Sequence, residues 1–545
     1  MIENSREGIF KLMLELVSIP SISETTGELE MAGLIYRKLA ELPYFKENPE
    51  HLKLLPVKND PLGRQAVFAV VKAGSGVSRT VILTGHYDVV DAEGCGALKP
   101  YAFDPLEYTR RLSFEELPED ARKDLESGNY IFGRGVSDMK CGIAIEMALL
   151  SEASCNPAGL KINLAFLAVP DEENNSAGMR GAVSHLVDLQ KEMGLEYIAA
   201  INCEPSGPGV PDDESRYIFT GTVGKIMPLF YMVGKETHVG EYFEGLNANL
   251  LASCLNLVLE ANPDFADAHG REVFPPPACL KLKDLRDAYY VTLPERAVAY
   301  YNMLITSTTP SRVLEDMKKA AEEAFSMAIA HLKKAAEAYS QKTGKTIEIP
   351  WHPKVITYKE LVEEVRRNFP GNMSEYVKQY IESLPDGLDA RDKAISLAGE
   401  LMKHYPHRSP MIVVGFLPPY YPHRANGGLS EKERNVLKAV DEVVSTASRD
   451  YGIDMKVMDY FAGITDLSYF GFRGRPEELG TVSDNMPGWG YIYDLPLDGL
   501  LRLDIPVLNI GPSGRDDHKY TERLELDYSL NVVPKLLKCA VESLG

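Results

Sequence analysis

Five short stretches of the chain carry side chains able to bind metal ions or move protons. "VILTGHYDVV" ends an apolar run in His86 and Asp88, two residues apart and therefore on one side of an extended chain. "GRGVSDMKCG" sets Asp138 in a glycine-flanked turn, "LAVPDEEN" places Asp171, Glu172 and Glu173 in a row behind an apolar stretch, "INCEPSG" puts Glu204 behind another, and "GPSGRDDHKYTE" supplies His518. Taken singly, each has an ordinary structural reading: a strand-end histidine, a helix N-cap for Asp138, a solvated loop for the acids. Three adjacent carboxylates repel one another and are costly to bury, so the triplet needs a compensating charge. Two histidines and three or four carboxylates gathered in one place are the ligand set for a pair of divalent transition ions. Mixed nitrogen and oxygen donors favour zinc, with cobalt or manganese as substitutes. The metal charge would offset the repulsion among the acids.

Such a gathering needs a scaffold, and the elements around these residues suggest one. "SREGIFKLMLELVSIP" and "GELEMAGLIYRKLAEL" have helical spacing, "RQAVFAVVKAG" and "RTVILTGHYDVVD" are rich in β-branched residues, and a polar excursion covers residues 92–128. "YIFGRGVSDMKCGIAIEMALLSEAS" reads as a turn entering a buried helix; "LKINLAFLAVP", "AGMRGAVSHLVDLQKEM" and "YIAAINCEPS" continue the alternation. This order predicts an α/β fold with a mainly parallel sheet covered by helices. The carboxyl ends of parallel strands collect at one edge, where ligand sites form, and the chemical residues are expected there.

The pattern changes near residue 216. "YIFTGTVGKIMPLFYMVGKETH" alternates like a strand pair, "GLNANLLASCLNLVLEAN" is helical, "AYYVTLPERAVAYYNMLITST" alternates again, and a long Ala/Lys/Glu-rich helix starts near Ser311 as a solvent-facing or interface helix would. Charged helical sequence fills about 330–408, and "PMIVVGFLPPYYP" reads as a closing strand. Helix "LSEKERNVLKAVDEVVSTASRDYG", strands "KVMDYFAG" and "IPVLNIGPSG" and helix "LDYSLNVVPKLLKCAVESL" return to the α/β style. The expected organisation is a catalytic domain in two parts, 1–215 and 423–545, interrupted by an inserted α+β domain over 216–422 with extra helices at about 330–408.

Composition narrows the function classes. The 545 residues exceed one ordinary core, and 45% hydrophobic with 25% charged residues is a globular balance. A net charge of −21 argues against nucleic acid or an anionic membrane as the main partner. No apolar run reaches the roughly 18 residues of a spanning helix, and the first residues lack the basic start and apolar core of a signal peptide, so a cytoplasmic protein is expected. Seven cysteines without a C-x-x-C pair fit free thiols in a reducing compartment and give no thiolate zinc site.

In order and content, "GHYDVVD", "GRGVSDMKCG", "PDEEN", "CEPS", "GKETHVG" and the histidine of "GPSGRDDHKYTE" resemble the M20 family of metallopeptidases and aminoacylases, across both catalytic parts. The resemblance implies hydrolysis of an amide bond in a small N-acyl amino acid or peptide at two divalent ions. His86, Asp138 and Glu204 would ligate one ion, Glu173 and His518 the other, and Asp138 would bridge. Asp88 would orient His86, Asp171 would shape the turn, and Glu172 would be the general base. His238 of "GKETHVG" would stabilise the oxyanion, reaching a partner subunit's site in a homodimer formed through the inserted lid or dimerisation domain. The family also implies a cis peptide at Asp138–Met139, and a substrate-contacting or structural role for Asn247.

The chain is longer than usual for the family, with the surplus at 330–408 and after Asp91, and most resembles its arginine-utilisation (RocB-like) branch. That implies a substrate from arginine-related amino-acid catabolism. Arg424 and Arg515 are candidates to grip a substrate carboxylate, or else structural arginines. A one-metal enzyme, or a non-catalytic metal- or ligand-binding protein on a hydrolase scaffold, is the rival reading; loss of a ligand or of the base would favour the binder, and none is lost.

Overall fold

The computed structural model describes residues 2–112, 116–207, 215–385 and 387–545; positions 113–115 of the polar excursion lie outside it. The chain divides into two compact units, one formed by Met1–Val223, Arg424–Phe472 and Pro496–Gly545, the other by Gly224–His423 and Arg473–Leu495. Among the described residues no helix is long and apolar enough to cross a membrane.

The first unit is built on an eight-stranded sheet in the order Leu52–Pro56, Gln65–Val71, Asn163–Val169, Arg79–His86, Glu196–Asn202, Val507–Asn509, Arg216–Phe219, Met455–Met458. The middle strands run parallel, and the two at the N-terminal edge run antiparallel as a short hairpin allows. Asn163–Val169 is buried throughout and Arg79–His86 from its second residue on, because both faces of the sheet are covered. The helix Lys140–Cys155 is buried along nearly its whole length. Gly142 permits its close approach, since a Cβ there would stand 2.4 Å from the Cys203 carbonyl oxygen.

A second, three-stranded sheet in the order Gly514–Arg515, Arg523–Glu525, Tyr130–Phe132 decides the site. The turn containing Asp138 leaves Tyr130–Phe132, and His518 lies between the other two strands. The expectation that every chemical residue sits at a carboxyl end of the main sheet is therefore corrected for these two. Tyr130–Phe132 is too short and too close to its helix to be told from a loop by periodicity.

The second unit has a five-stranded sheet in the order Ala278–Asp284, Arg296–Ile305, Gly224–Val233, Met411–Tyr421, Val355–Thr357, antiparallel except for the last pair. Helices Ala248–Leu259 and Pro310–Thr343 belong to it, and Tyr358–Asn368 and Ala390–Met402 bury Leu361, Val365, Ile395 and Leu401 in one core with Leu229, Tyr231, Met411 and Val413 of the sheet. Much of the helical surplus is thus domain core, each such aliphatic side chain contributing about 1.5–3 kcal/mol.

The first expected boundary shifts, whereas the second, expected after residue 422, falls after His423. Arg216–Phe219 belongs to the large sheet, paired in parallel with Met455–Met458, so the inserted unit begins at Gly224 and not at 216. Residues 473–495, expected in the second catalytic part, fall with the inserted unit. Alternation runs on through "YIFTGTVGKIMPLF", so period alone does not reveal that the chain changes sheets at its glycines.

Gly511 packs against the backbone of Glu204: a Cβ there would lie 1.7 Å from the Glu204 carbonyl oxygen. Gly511→Ala is expected to cost about 1–3 kcal/mol, as overpacking does, and to lower the thermal midpoint. An unchanged midpoint in a melting experiment would refute this contact.

Candidate metal centre

His86 is the last residue of its strand, and its ring is held by the backbone just beyond. Nδ1 donates to the Asp88 carbonyl oxygen at 3.0 Å, which turns Nε2 toward the acids. Nε2 stands 2.9 Å from Asp138 Oδ1, 3.5 Å from Glu204 Oε1 and 4.0 Å from Glu172 Oε2. The second oxygen of Asp138, Oδ2, is 3.1 Å from His518 Nε2, which in turn lies 3.0 Å from Glu173 Oε1. Each oxygen of Asp138 therefore addresses a different histidine, and a further glutamate stands beside each one. Donor atoms of His86, Asp138 and Glu173 all lie within 4.8 Å of one another.

The acid triplet divides its work. Asp171 has a left-handed backbone (φ 69°), its carbonyl oxygen accepts the Ser176 N–H at 2.6 Å, and its Oδ2 accepts the Ala177 N–H at 3.0 Å, so it folds the turn. The backbone N–H groups of Glu172 and Glu173 donate to the carboxylate of Asp88 at 3.1 and 3.3 Å, and Ser23 Oγ donates to the same group at 2.7 Å. Asp88 thus orients His86 through its carbonyl. Its carboxylate, 3.6 Å from Nδ1, is engaged in clamping the acid pair. The Asp138–Met139 peptide is cis.

His86, Glu172 and Glu204 are buried, whereas the His518 side chain is 49% exposed and marks the mouth of the cluster. Burial drives the carboxyls of Glu172 and Glu204 well above the usual range and raises Glu173, with Asp138 adding to the last. Burial would lower both histidines, but Glu204 and Asp138 outweigh it at His86, and Asp138 and Glu173 push His518 up to about 11. Asp138, despite its burial, is held below its ordinary value by hydrogen bonds from the two histidines. With side chains alone, this cluster keeps its charge tolerable by holding protons on glutamates and histidines. Divalent ions perform that neutralisation without protons, and the nitrogen and oxygen donor set fits them.

Several neighbours were not found in the sequence. Asp466, buried at the start of the turn Asp466–Phe470, is pushed up to about 7 by burial and adds to the field on Glu172 and Glu204. An acid behind "AGIT" was its only signal. Arg134 donates through Nη2 to the His518 carbonyl oxygen at 2.8 Å, and its ion-pair partner Glu522 accepts the Gly135 N–H at 2.7 Å, tying the loops of Asp138 and His518 together.

The other candidates have local partners of their own. Arg424 is fully buried, donates through Nε to the Ile505 carbonyl at 3.2 Å and pairs with Glu433 at 3.5 Å, so the substrate-gripping reading is corrected to an internal brace. Arg515 lies 3.6 Å from Asp124. Asn247 is the N-cap of Ala248–Leu259, accepting the Asn249 N–H at 2.9 Å. His238, in the inserted unit, is exposed, and its Nδ1 accepts the Gly240 N–H at 3.1 Å.

Residues 82–483 match the model of the peptidase family M20/M25/M40. The chain is 35% identical to YqjN of Bacillus subtilis (strain 168), described as an uncharacterized protein, with 99% of this chain and 97% of that one covered. It is 32% identical to protein RocB of the same organism, with 98% and 94% covered. Among solved structures it is similar to the M20 family metallo-carboxypeptidase Sso-CP2 from Sulfolobus solfataricus, with a TM-score of 0.53, 15% identity and 98% of both chains covered.

The two-sided arrangement about Asp138 predicts a stoichiometry. Metal-free protein titrated with zinc or cobalt is expected to bind two ions per chain, and His518→Ala about one, by calorimetry and metal analysis. Equal stoichiometry in both proteins would show that His518 is not a ligand.

Proposed function

The chain belongs to the M20/M25/M40 peptidase family, and on that premise we propose that this hydrolase cleaves an amide bond of a small N-acyl amino acid or peptide at a dinuclear metal centre. The observation that carries this reading is Asp138, whose two oxygens face His86 and His518 separately. His86, Asp138 and Glu204 would hold one ion, and Asp138, Glu173 and His518 the other. Zinc is the favoured ion, with cobalt or manganese as substitutes. Divalent ions bound there supply Lewis acidity, which polarises a carbonyl and makes a nearby water easier to deprotonate.

The chain's own groups do the rest. Glu172, buried and uninvolved in the two ligand sets, is the general base: it accepts a proton from water and returns it to the leaving nitrogen. Burial raises its affinity for that proton, the direction such a group requires. Asp88 keeps the base beside Glu173 by holding both backbone N–H groups. His238 is assigned to the oxyanion, a role that calls for a homodimer formed through the inserted unit or for a closing motion. The resemblance to the arginine-utilisation branch stated above implies an arginine-related substrate, and with it a place in cytoplasmic amino-acid catabolism; the chain is 32% identical to RocB over nearly its full length.

The test is release of free amine from a panel of N-acyl amino acids and dipeptides, arginine and ornithine derivatives included, by metal-stripped protein reloaded with zinc, manganese or cobalt. Glu172→Gln is expected to lower kcat about 10²–10⁴-fold while keeping the metal stoichiometry. Near-normal turnover in that variant would remove Glu172 from the role. Tight metal binding with no turnover across the panel would favour a binding protein on this scaffold.

A further inference from the structure

Directly behind the acid triplet lies a buried ion cluster that the mechanism does not use. Arg64 immediately precedes the strand Gln65–Val71 and is 5% exposed. Its Nη1 donates to Asp171 Oδ1 at 2.7 Å and to Glu28 Oε2 at 3.0 Å, and its Nη2 and Nε donate to Asp60 Oδ1 at 2.7 and 3.0 Å. Two of the acids have further donors as well. Asp60 Oδ2 accepts the Arg64 N–H at 2.7 Å, and Glu28 Oε2 accepts the Glu24 N–H at 2.7 Å. One planar guanidinium thus joins three chain segments, which a lysine ammonium on its flexible stem could not do at once.

Asp171 is the member that matters for chemistry. Its Oδ1 is taken by Arg64 and its Oδ2 by the Ala177 N–H, so a single carboxylate is fixed from the sheet on one side and closes the turn 171–177 on the other. The next two residues are Glu172 and Glu173, whose N–H groups point to Asp88. The acid turn is therefore held at two places, by Asp88 on its backbone and by Arg64 on its first side chain. The geometry points to Arg64 as a positioning residue: acting through Asp171, it sets where Glu172 and Glu173 present their carboxylates. It would thereby tune both proton transfer and the affinity of the ion that Glu173 holds. This rests on the assignment of Glu172 and Glu173 made above.

The experiment compares Asp171→Asn, Arg64→Lys and Arg64→Ala in the full chain. Metal-free protein is titrated with cobalt(II), followed by its visible absorption, and kcat, KM and thermal midpoint are measured alongside. Asp171→Asn is nearly isosteric, and asparagine tolerates the left-handed backbone, so this variant decides the matter even where Arg64→Ala does not fold. Asp171→Asn is expected to weaken one of the two cobalt equivalents and to lower kcat, each by about 10–100-fold, with KM little changed. Arg64→Lys should recover part of both losses relative to Arg64→Ala. Wild-type kcat and cobalt binding in Asp171→Asn and Arg64→Lys, whatever the thermal midpoint, would show that the cluster only holds the fold and would overturn the inference. Glu172→Gln run in parallel separates the two ideas: turnover there tests the base, whereas cobalt binding reads the Glu173 side without any turnover.

Discussion

Negative charge gathered out of water is the constraint on which this structure turns. Asp88, Asp138, Asp171, Glu172 and Glu204 are each mostly buried, and Glu173 and Asp466 join them. Carboxylates so placed raise one another's proton affinity and cannot all ionise without cations. The fold meets this in three ways. Backbone N–H groups donate to Asp88, a guanidinium faces Asp171, and the two histidines face Asp138. Glu172, Glu173 and Glu204 keep raised affinities all the same, and these are the acids to which the proposed function assigns proton transfer and the divalent ions.

Two sheets are needed to bring the groups together. The parallel strands of the large sheet end at His86, just before the acid turn and just before Glu204, so their register alone places these three clusters along one edge. Asp138 and His518 come from the loops of the small sheet, and the ion pair of Arg134 with Glu522 joins those loops. Asp138 is where the contributions of the two sheets meet: its two oxygens face histidines from different sheets.

How far this was legible in the sequence follows from the range of each interaction. His86, Glu172, Glu173 and Glu204 interrupt apolar runs, and a polar residue that ends a buried strand is visible without a structure. Asp138 and His518 sit among glycines and polar residues, and it was the order of motifs that brought them out. Arg64, Ser23, Arg134 and Asp466 left no comparable trace, because each matters through a partner far away in the chain, and burial of a single charged residue carries no periodic signal. The same reason accounts for the shifted boundary. Arg216–Phe219 and Gly224–Val233 read as one alternating pair although they enter different sheets. Arg424 followed the opposite course: a guanidinium that could grip a carboxylate or serve the structure proved to be wholly internal, the second of the two readings.

The polar excursion after Asp91 acquires a role by the same reasoning. Its helix Glu119–Ser127 carries Asp120 and Asp124, and both accept from the fully buried Arg523, at 2.8 and 2.6 Å. Arg523 also pairs with Asp516, which itself accepts from Lys519 and Thr521, both just beyond His518. The turn so closed holds His518, which together with Asp516 has a left-handed backbone, a conformation that persists only when surrounding contacts determine it. A guanidinium buried with three carboxylates is costly unless its geometry is good, and here the geometry spans the excursion and the histidine loop. The helix Glu119–Ser127 of the added segment is therefore a brace, through Arg523 and Asp516, for the turn that carries the most exposed of the proposed metal ligands.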